Sequence, residues 1–149
     1  MYKTMEDQLR SLIGTEPYYM TVMANASALL MDTLGALNWA GFYLVRGGRL
    51  VLGPFQGKMA CIHIERGRGV CGSAWEKDEI IVVPDVHAFP GHIACDSASR
   101  SEIVIPLHDS RGVVGVMDLD SPLEGRFGPE DAAGLRTFAK ALEEGAQWD

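Results

Sequence analysis

The pattern of hydrophobic and polar positions follows a helical period near both ends of the chain. Apolar residues at helical spacing predict helices over about residues 5–14, 17–37 and, in "PEDAAGLRTFAKALEEGAQ", 129–147. Pro17 fits the start of the second helix, because proline is tolerated in a first helical turn. Acidic residues occupy the first turn of the last helix, where the helix dipole stabilises negative charge.

Between these helices, alternating apolar residues predict two β-hairpins. "WAGFYLV" (39–45) and "RLVLGPF" (49–55) are separated by Gly47-Gly48, a two-residue hairpin signal. "SEIVIPLH" and "GVVGVMDLD" predict a second hairpin around residues 110–112. Strands joined by hairpins predict an α+β fold, with a central antiparallel β-sheet and the N- and C-terminal helices packed on one face.

The segment between the hairpins contains shorter elements. "CIHIE" predicts a short strand, "VCGSAWEKDE" a short helix, and "IIVVP" a buried strand that Pro84 ends. Residues 86–100 contain proline, glycine and small residues, which predicts a loop. A chain of 149 residues can bury a core of its own, so we expect one domain over residues 1–149.

The stretch "ERGRGVCG" (65–72) has the glycine spacing of a dinucleotide-binding fingerprint. Such a site needs a helix long enough to connect two parallel strands, and only seven residues separate Gly72 from Ile80. The glycines therefore predict a tight turn into a helix, with Cys71 in the first turn. The helix dipole would lower the pKa of a thiol at that position.

Composition and charge exclude several classes of partner. The net charge is −7 and no basic cluster exceeds "RGR", which disfavours nucleic acid. Residues 18–37 are largely apolar, but Asn25, Ser27 and Asp32 interrupt them, which favours a buried helix over a membrane span. The first residues carry charge and lack the apolar run of a secretory signal, so we expect a cytoplasmic protein with no membrane partner.

The three cysteines, Cys61, Cys71 and Cys95, are candidate chemical groups. An odd number without a secretory signal disfavours a structural disulfide framework, which leaves free, catalytic or metal-bound thiols. Cys61, His63, Cys71 and Cys95 could form a tetrahedral zinc site, but the C-x-x-C spacing is missing, and we expect no metal.

Carboxylates and aromatic residues define a second candidate set. Asp118 and Asp120 lie two apart on a predicted strand and share a face, where two like charges should raise the pKa of at least one. Alternation places Glu102 on the face of its strand opposite the buried one. Asp118 and Asp120 can lie on that same face of the sheet. Trp39 and Tyr43, four apart, also share a face, as a pocket wall or as core.

The combination resembles the free methionine-(R)-sulfoxide reductases, which are single GAF-domain enzymes. The matching stretches run from residue 38 to 122 and include all three cysteines with unbroken spacing. They are "NWAGFYL", "LGPFQGKMACIHIERGRGVCG", "VVPDVHAFPGHIACDSASRSEIVIPL" and "GVMDLDSP".

The resemblance implies roles for these positions. Cys95 would attack the sulfoxide sulfur of free L-methionine-(R)-sulfoxide and become a sulfenic acid. Cys61 would be the main resolving cysteine and Cys71 a second one or a relay, with thioredoxin reducing the disulfide and no bound cofactor. The substrate pocket would comprise an acidic cluster and an aromatic wall, formed by Glu102, Asp118, Asp120, Trp39 and Tyr43. The resemblance also implies a homodimer.

Other interpretations stay open at this point. A non-enzymatic GAF sensor would bind a small ligand without needing the cysteines, and a zinc-bound structural domain would unfold with a chelator. A serine hydrolase is disfavoured because "DSASRS" lacks nucleophile-elbow glycines. The residues do not decide whether Cys61 or Cys71 resolves first, or what each carboxylate does.

Overall fold

A computed structural model describes residues 1–92 and 97–148 and shows a six-stranded sheet with helices on both faces. The strand order is β3-β2-β1-β6-β5-β4, and each neighbouring pair is antiparallel. The elements are α1 (Tyr2–Thr15), α2 (Tyr19–Thr33), β1 (Trp39–Arg46), β2 (Arg49–Gly57), β3 (His63–Ile64), α3 (Gly69–Lys77), β4 (Ile81–Val83), β5 (Ser101–Asp109), β6 (Gly112–Ser121) and α4 (Pro129–Gly145).

Both predicted hairpins are present. Gly47 and Gly48 connect β1 to β2 with φ angles of 61° and 82°, values that glycine adopts without steric cost. Ser110 and Arg111 connect β5 to β6. β6 then pairs with β1, so the two hairpins join at the centre of the sheet.

The helices α2 and α4 pack on one face of the sheet and α1 packs against both of them, so the terminal helices lie on one face, as predicted. They cover the larger core, which includes Leu9, Met23, Leu30, Phe42, Ile103, Ile105, Met117 and Phe138. The short helix α3 packs on the other face, over a smaller core that includes Leu50, Val70, Ala74, Val104 and Val116. The prediction of an α+β fold with the terminal helices on one face is confirmed.

The helix α2 lies in the largely apolar stretch for which the sequence predicts a buried helix. Its buried residues recur at positions such as Val22, Ala26 and Leu30, which form one stripe along the helix. Among the residues that the structure describes, no helix is long and apolar enough to cross a membrane.

Two predicted elements differ from the structure. The helix α2 ends at Thr33 rather than near Leu37, because Leu34 is already extended and Ala36 has a φ of 61°. The sequence predicts a buried β4, but Val82 is 38% exposed. Among residues 1–92 and 97–148, β4 lies at the edge of the sheet and pairs only with β5, so one of its sides has no neighbouring strand.

Candidate functional site

A pocket opens on the face of the sheet that carries α3. It encloses about 50 Å³, several times the space that one water molecule needs. Six of the eight residues singled out from the sequence line it: Trp39, Tyr43, Cys71, Glu102, Asp118 and Asp120. The other lining residues are Met59, Ala60, Ile64, Arg68, Gly69, Val70, His92 and Ser99.

Strand register places the three carboxylates together. β5 and β6 pair so that Glu102 faces Asp120, and Asp118 lies two residues further along the same face of β6. β1 pairs with the other side of β6, where Trp39 faces Asp120. The shared face predicted for the three carboxylates is therefore confirmed.

The glycine-rich stretch forms the predicted tight turn into α3. The Gly67 N–H donates to the Gly72 carbonyl at 2.9 Å, and a Cβ at Gly72 would lie 2.5 Å from the Glu65 carbonyl oxygen. Only glycine fits such a close approach. The flanking strands β3 and β4 lie at opposite edges of the sheet, so α3 does not link neighbouring parallel strands, and the dinucleotide interpretation is excluded.

Cys71 lies in the first turn of α3, as predicted, but the prediction of a lowered pKa is wrong. The side chain is buried, and its Sγ donates to Glu102 Oε2 at 4.0 Å. Burial raises the pKa of the Cys71 thiol well above its usual value, and the charges of Asp118 and Glu102 raise it further. Desolvation and nearby negative charge outweigh the helix dipole here.

The pocket carboxylates are unusually buried for acidic groups. Glu102 is 7% exposed and Asp118 is 5% exposed. Burial raises the pKa of Glu102 well above its usual value, and the charge of Asp118 adds to the effect. Burial and the charge of Asp120 likewise raise the pKa of Asp118. The prediction that at least one pKa is raised is confirmed, and such carboxyls can donate a proton at neutral pH.

Cys71, Glu102 and Asp118 also form the one group of potential metal ligands within residues 1–92 and 97–148. Their donor atoms lie within 4.8 Å of one another. This is not the zinc set considered from the sequence, because Cys61 is disulfide-bonded and the His63 side chain is exposed. Among the residues that the structure describes, the buried Asp118 Oδ1 atom has no hydrogen-bond partner.

The aromatic residues form a stacked wall. The rings of Trp39 and Tyr43 lie 6.0 Å apart at 24°, and Phe55 extends the stack at 5.1 Å from Trp39. Both predicted wall residues also hold the segment that precedes β3. Trp39 Nε1 donates to the Lys58 carbonyl at 3.1 Å, and the Tyr43 hydroxyl donates to the Cys61 carbonyl at 3.0 Å.

Sequence reasoning missed this anchoring role, because a hydrogen bond between side chain and distant backbone leaves no periodic signal. It also missed Arg68 and His92 as pocket residues. The position of Arg68 could have indicated it, since Arg68 directly precedes α3 and lies three residues before Cys71, a spacing that places two residues on one side of a helix.

The other two cysteines are not among the pocket-lining residues that the structure describes. Cys61 is half-buried and disulfide-bonded, whereas Cys71 is a free thiol. Cys61 and Cys71 therefore do not pair with each other in this state. Cys95, the predicted nucleophile, lies outside the described residues.

The antiparallel sheet, the terminal helices on one face and the pocket on the other define a GAF domain, and the GAF-domain family model matches residues 10–144. Within that class, the chain belongs to the family of the free methionine-R-sulfoxide reductases. The protein of that name from Escherichia coli is 49% identical over 142 residues, which cover 95% of this chain and 86% of the relative. The resemblance drawn from the sequence is confirmed.

Solved structures share this fold. Free methionine-R-sulfoxide reductase from Neisseria meningitidis, in complex with its substrate, superposes with a TM-score of 0.93 at 45% identity, covering 97% of this chain and 87% of that one. A protein from Burkholderia vietnamiensis described as a GAF sensor superposes with a TM-score of 0.94 at 51% identity, covering 97% and 92%.

Proposed function

We propose that this chain reduces free L-methionine-(R)-sulfoxide to methionine. The observation that carries the proposal is a small pocket that combines two buried carboxyls of raised pKa, a thiol and a stacked aromatic wall. The names of the Escherichia coli and Neisseria meningitidis relatives support the same activity, and the latter was solved with its substrate.

The pocket groups match the needs of the substrate. The aromatic rings suit the S-methyl group, since sulfur packs favourably against aromatic rings. The carboxylate cluster suits the substrate ammonium group, and backbone N–H groups of the loop that contains Cys95 would bind its carboxylate. Trp39 and Tyr43 are nearly fully buried, so this wall is fixed before a ligand arrives.

Reduction would proceed through Cys95. Its thiolate attacks the sulfoxide sulfur, and the sulfur–oxygen bond then breaks as the oxygen is transferred to Cys95. The products are methionine and a sulfenic acid on Cys95. A sulfoxide oxygen is a poor leaving group until it is protonated, and Glu102 or Asp118, kept protonated by burial, would supply the proton as general acid.

Turnover requires a second thiol. The Cys61 thiol attacks the sulfenic acid, which forms a disulfide and releases water. The disulfide-bonded state of Cys61, with Cys71 free, supports Cys61 as the main resolving residue and leaves Cys71 as a second one or a relay. Thioredoxin would then reduce the disulfide, in the cytoplasm, with no bound cofactor.

We further propose that residues 1–149 form one domain and that the protein is a homodimer.

The decisive experiment is NADPH consumption in the presence of thioredoxin and thioredoxin reductase. Free L-methionine-(R)-sulfoxide, its (S) epimer and a peptide-bound sulfoxide would be compared, with Cys95→Ser as the control variant. We expect turnover of the free (R) form alone and its complete loss in Cys95→Ser. Absence of turnover on all three, with the thiols shown to be reduced, would contradict the proposal.

The second candidate is a GAF sensor without catalysis, which the description of the Burkholderia vietnamiensis relative favours. A sensor would bind a small ligand equally well in the wild type and in Cys95→Ser. Calorimetric titration of both with free methionine sulfoxide, beside the turnover assay, separates the two candidates.

A further inference from the structure

The segment that carries Cys61 presents exposed apolar side chains on an anchored backbone. Met59 is 89% exposed and Ile62 is 64% exposed. The backbone between them is held from inside, because Trp39 and Tyr43 bind the carbonyls of Lys58 and Cys61. The two side chains therefore project from a fixed backbone. A docking site of this kind does not have to order its backbone when a partner binds, so it avoids the free-energy cost of that ordering.

The charge of this segment opposes the charge of the whole chain. Residues 58–64 contain the exposed Lys58 and no acidic residue, although the net charge of the chain is −7. The next acid along the chain, Glu65, lies 3.8 Å from Arg49 in an ion pair. The segment that contains Cys61 is therefore apolar and carries a positive charge at Lys58, and it complements a partner with an apolar, acidic rim.

We propose that Lys58, Met59, Ile62 and His63, which we call the Cys61 rim, dock the protein dithiol that reduces the Cys61 disulfide, a reductant of the thioredoxin class. This inference rests on the proposed function, since that function requires a disulfide to be reduced in each cycle. It adds where the reductant binds and which of its features are recognised.

The exchange reaction places the reductant beside the sulfur that it attacks, and we assign that sulfur to Cys61. A thiolate of the reductant attacks Cys61 Sγ, the protein disulfide breaks, and its second sulfur leaves as a thiolate that takes up a proton. The other thiol of the reductant then attacks the mixed disulfide and releases Cys61 as a thiol. The reductant dithiol is thereby oxidised to a disulfide, and the protein gains two electrons and two protons. Residues beside Cys61 must contact the reductant during the first attack.

The strand β3 offers a further contact. It contains His63 and Ile64 and, within the described part of the chain, pairs with β2 alone, at the edge of the sheet. An edge strand leaves backbone groups that a partner can pair with. The rim thus provides apolar side chains, positive charge and a strand edge next to the reactive sulfur.

The test compares two reductants on two matched pairs of variants. Ile62→Glu alters the rim, and Leu12→Glu places the same change on α1, at another partly exposed apolar position. Lys58→Glu reverses a rim charge, and Lys3→Glu reverses a charge on α1. Each protein is assayed for turnover with thioredoxin and, separately, with dithiothreitol, a dithiol too small to need a docking surface.

We expect Ile62→Glu to lower kcat/KM for thioredoxin at least about tenfold, as for a central interface residue. Lys58→Glu should lower it about threefold and weaken its dependence on salt, as for a charge at the rim of an interface. Turnover with dithiothreitol should be unchanged in all four variants, and both α1 variants should match the wild type with thioredoxin.

Other outcomes overturn the proposal. The proposal is overturned if Ile62→Glu keeps the wild-type kcat/KM for thioredoxin. It is also overturned if Ile62→Glu loses as much turnover with dithiothreitol as with thioredoxin while its melting temperature equals that of the wild type. If Ile62→Glu fails to fold, Lys58→Glu and Ile62→Ser decide by the same criteria.

If Ile62→Glu dissociates a homodimer in light scattering while thioredoxin kinetics are unchanged, the rim is an interface between copies. Wild-type turnover with dithiothreitol but not with thioredoxin rejects this partner while the reductase activity stands, and no turnover with either rejects the proposed function itself.

Discussion

At the scale of single residues, the environment and not the residue type sets the chemistry of the pocket. Asp109 and Asp118 belong to the same hairpin. Hydrogen bonds from Arg111 lower the pKa of Asp109, which lies near the hairpin turn, whereas burial and the charge of Asp120 raise the pKa of Asp118. The pocket side of the hairpin therefore favours the protonated form of its carboxyls, which is the form that a general acid requires.

The raised pKa of Glu102 leads to a prediction for Glu102→Gln. An amide cannot donate the proton, so we expect the reduction step to slow about 100-fold, as is typical for the loss of a general acid. In the wild type, the protonated donor disappears as pH rises through the raised pKa, so the rate should fall with increasing pH. Single-turnover formation of methionine across the neutral pH range measures both effects.

Glu124→Gln, which changes an exposed carboxylate, serves as the control and should behave like the wild type. If Glu102→Gln reduced the sulfoxide at the wild-type rate over the whole pH range, proton donation by Glu102 would be rejected. Asp118→Asn and Asp120→Asn in the same assay measure how much each of the other two carboxyl groups contributes to the reduction step.

At the scale of elements, the tight turn before α3 decides where Cys71 lies. The turn brings the Glu65 carbonyl against the backbone of Gly72, at a distance that leaves no room for a side chain. A glycine inside a helix costs free energy relative to alanine, so its presence here reflects close packing and not helix propensity. The same turn brings Gly69, Val70 and Cys71 to the pocket.

We expect Gly72→Ala to lower the free energy of unfolding by about 1–3 kcal/mol, because the added Cβ would lie 2.5 Å from a backbone oxygen that cannot easily move. Gly14→Ala in α1 is the matched control, since a Cβ at Gly14 meets no atom within 4 Å. It should be neutral or stabilising by up to about 1 kcal/mol. Urea denaturation measures both, and equal stabilities of the two variants would show that the turn tolerates a side chain.

At the scale of the whole molecule, one histidine links both faces of the sheet. His108 on β5 contacts Asp78 at the end of α3 through Nε2, at 2.5 Å, and Glu143 on α4 through Nδ1, at 2.6 Å. Glu143 also accepts from Arg136 and from the backbone N–H of His108. An imidazole that contacts two carboxylates is best satisfied when both ring nitrogens carry protons.

These contacts lead to a prediction for the dependence of stability on pH. Partial burial lowers the pKa of His108, but the hydrogen bonds with Asp78 and Glu143 raise it more, and the net shift is upward. A raised folded-state pKa stabilises the protein fully below the unfolded value of about 6.5, and the stabilisation is lost as pH rises through the folded value.

The stability difference between the wild type and His108→Gln should therefore be largest in mild acid and should shrink as pH rises. Urea denaturation of both proteins at a series of pH values gives this difference. Taking the difference removes the contributions of Glu102 and Asp118, whose raised pKa values act in the same direction. A difference that stays constant with pH would contradict the prediction.

The sequence by itself determined most of the architecture, because periodicity and turn chemistry are local. The period-two segments, Gly47-Gly48 and the helical ends predicted the hairpins and the terminal helices, and alternation predicted that Glu102, Asp118 and Asp120 share a face. The glycine spacing predicted the turn before α3. Each of these depends on neighbours within a few residues, so a single sequence contains the information.

Only the tertiary structure decided burial and its electrostatic consequences. The pocket joins β1, α3 and the β5–β6 hairpin, which lie far apart along the chain, and the pKa of Cys71 depends on carboxylates from both strands of that hairpin. The exposure of β4 and the anchoring of the Cys61 segment by Trp39 and Tyr43 are likewise set by distant neighbours. Desolvation and Coulomb energies sum over everything nearby in space, and a local pattern along the chain does not contain that sum.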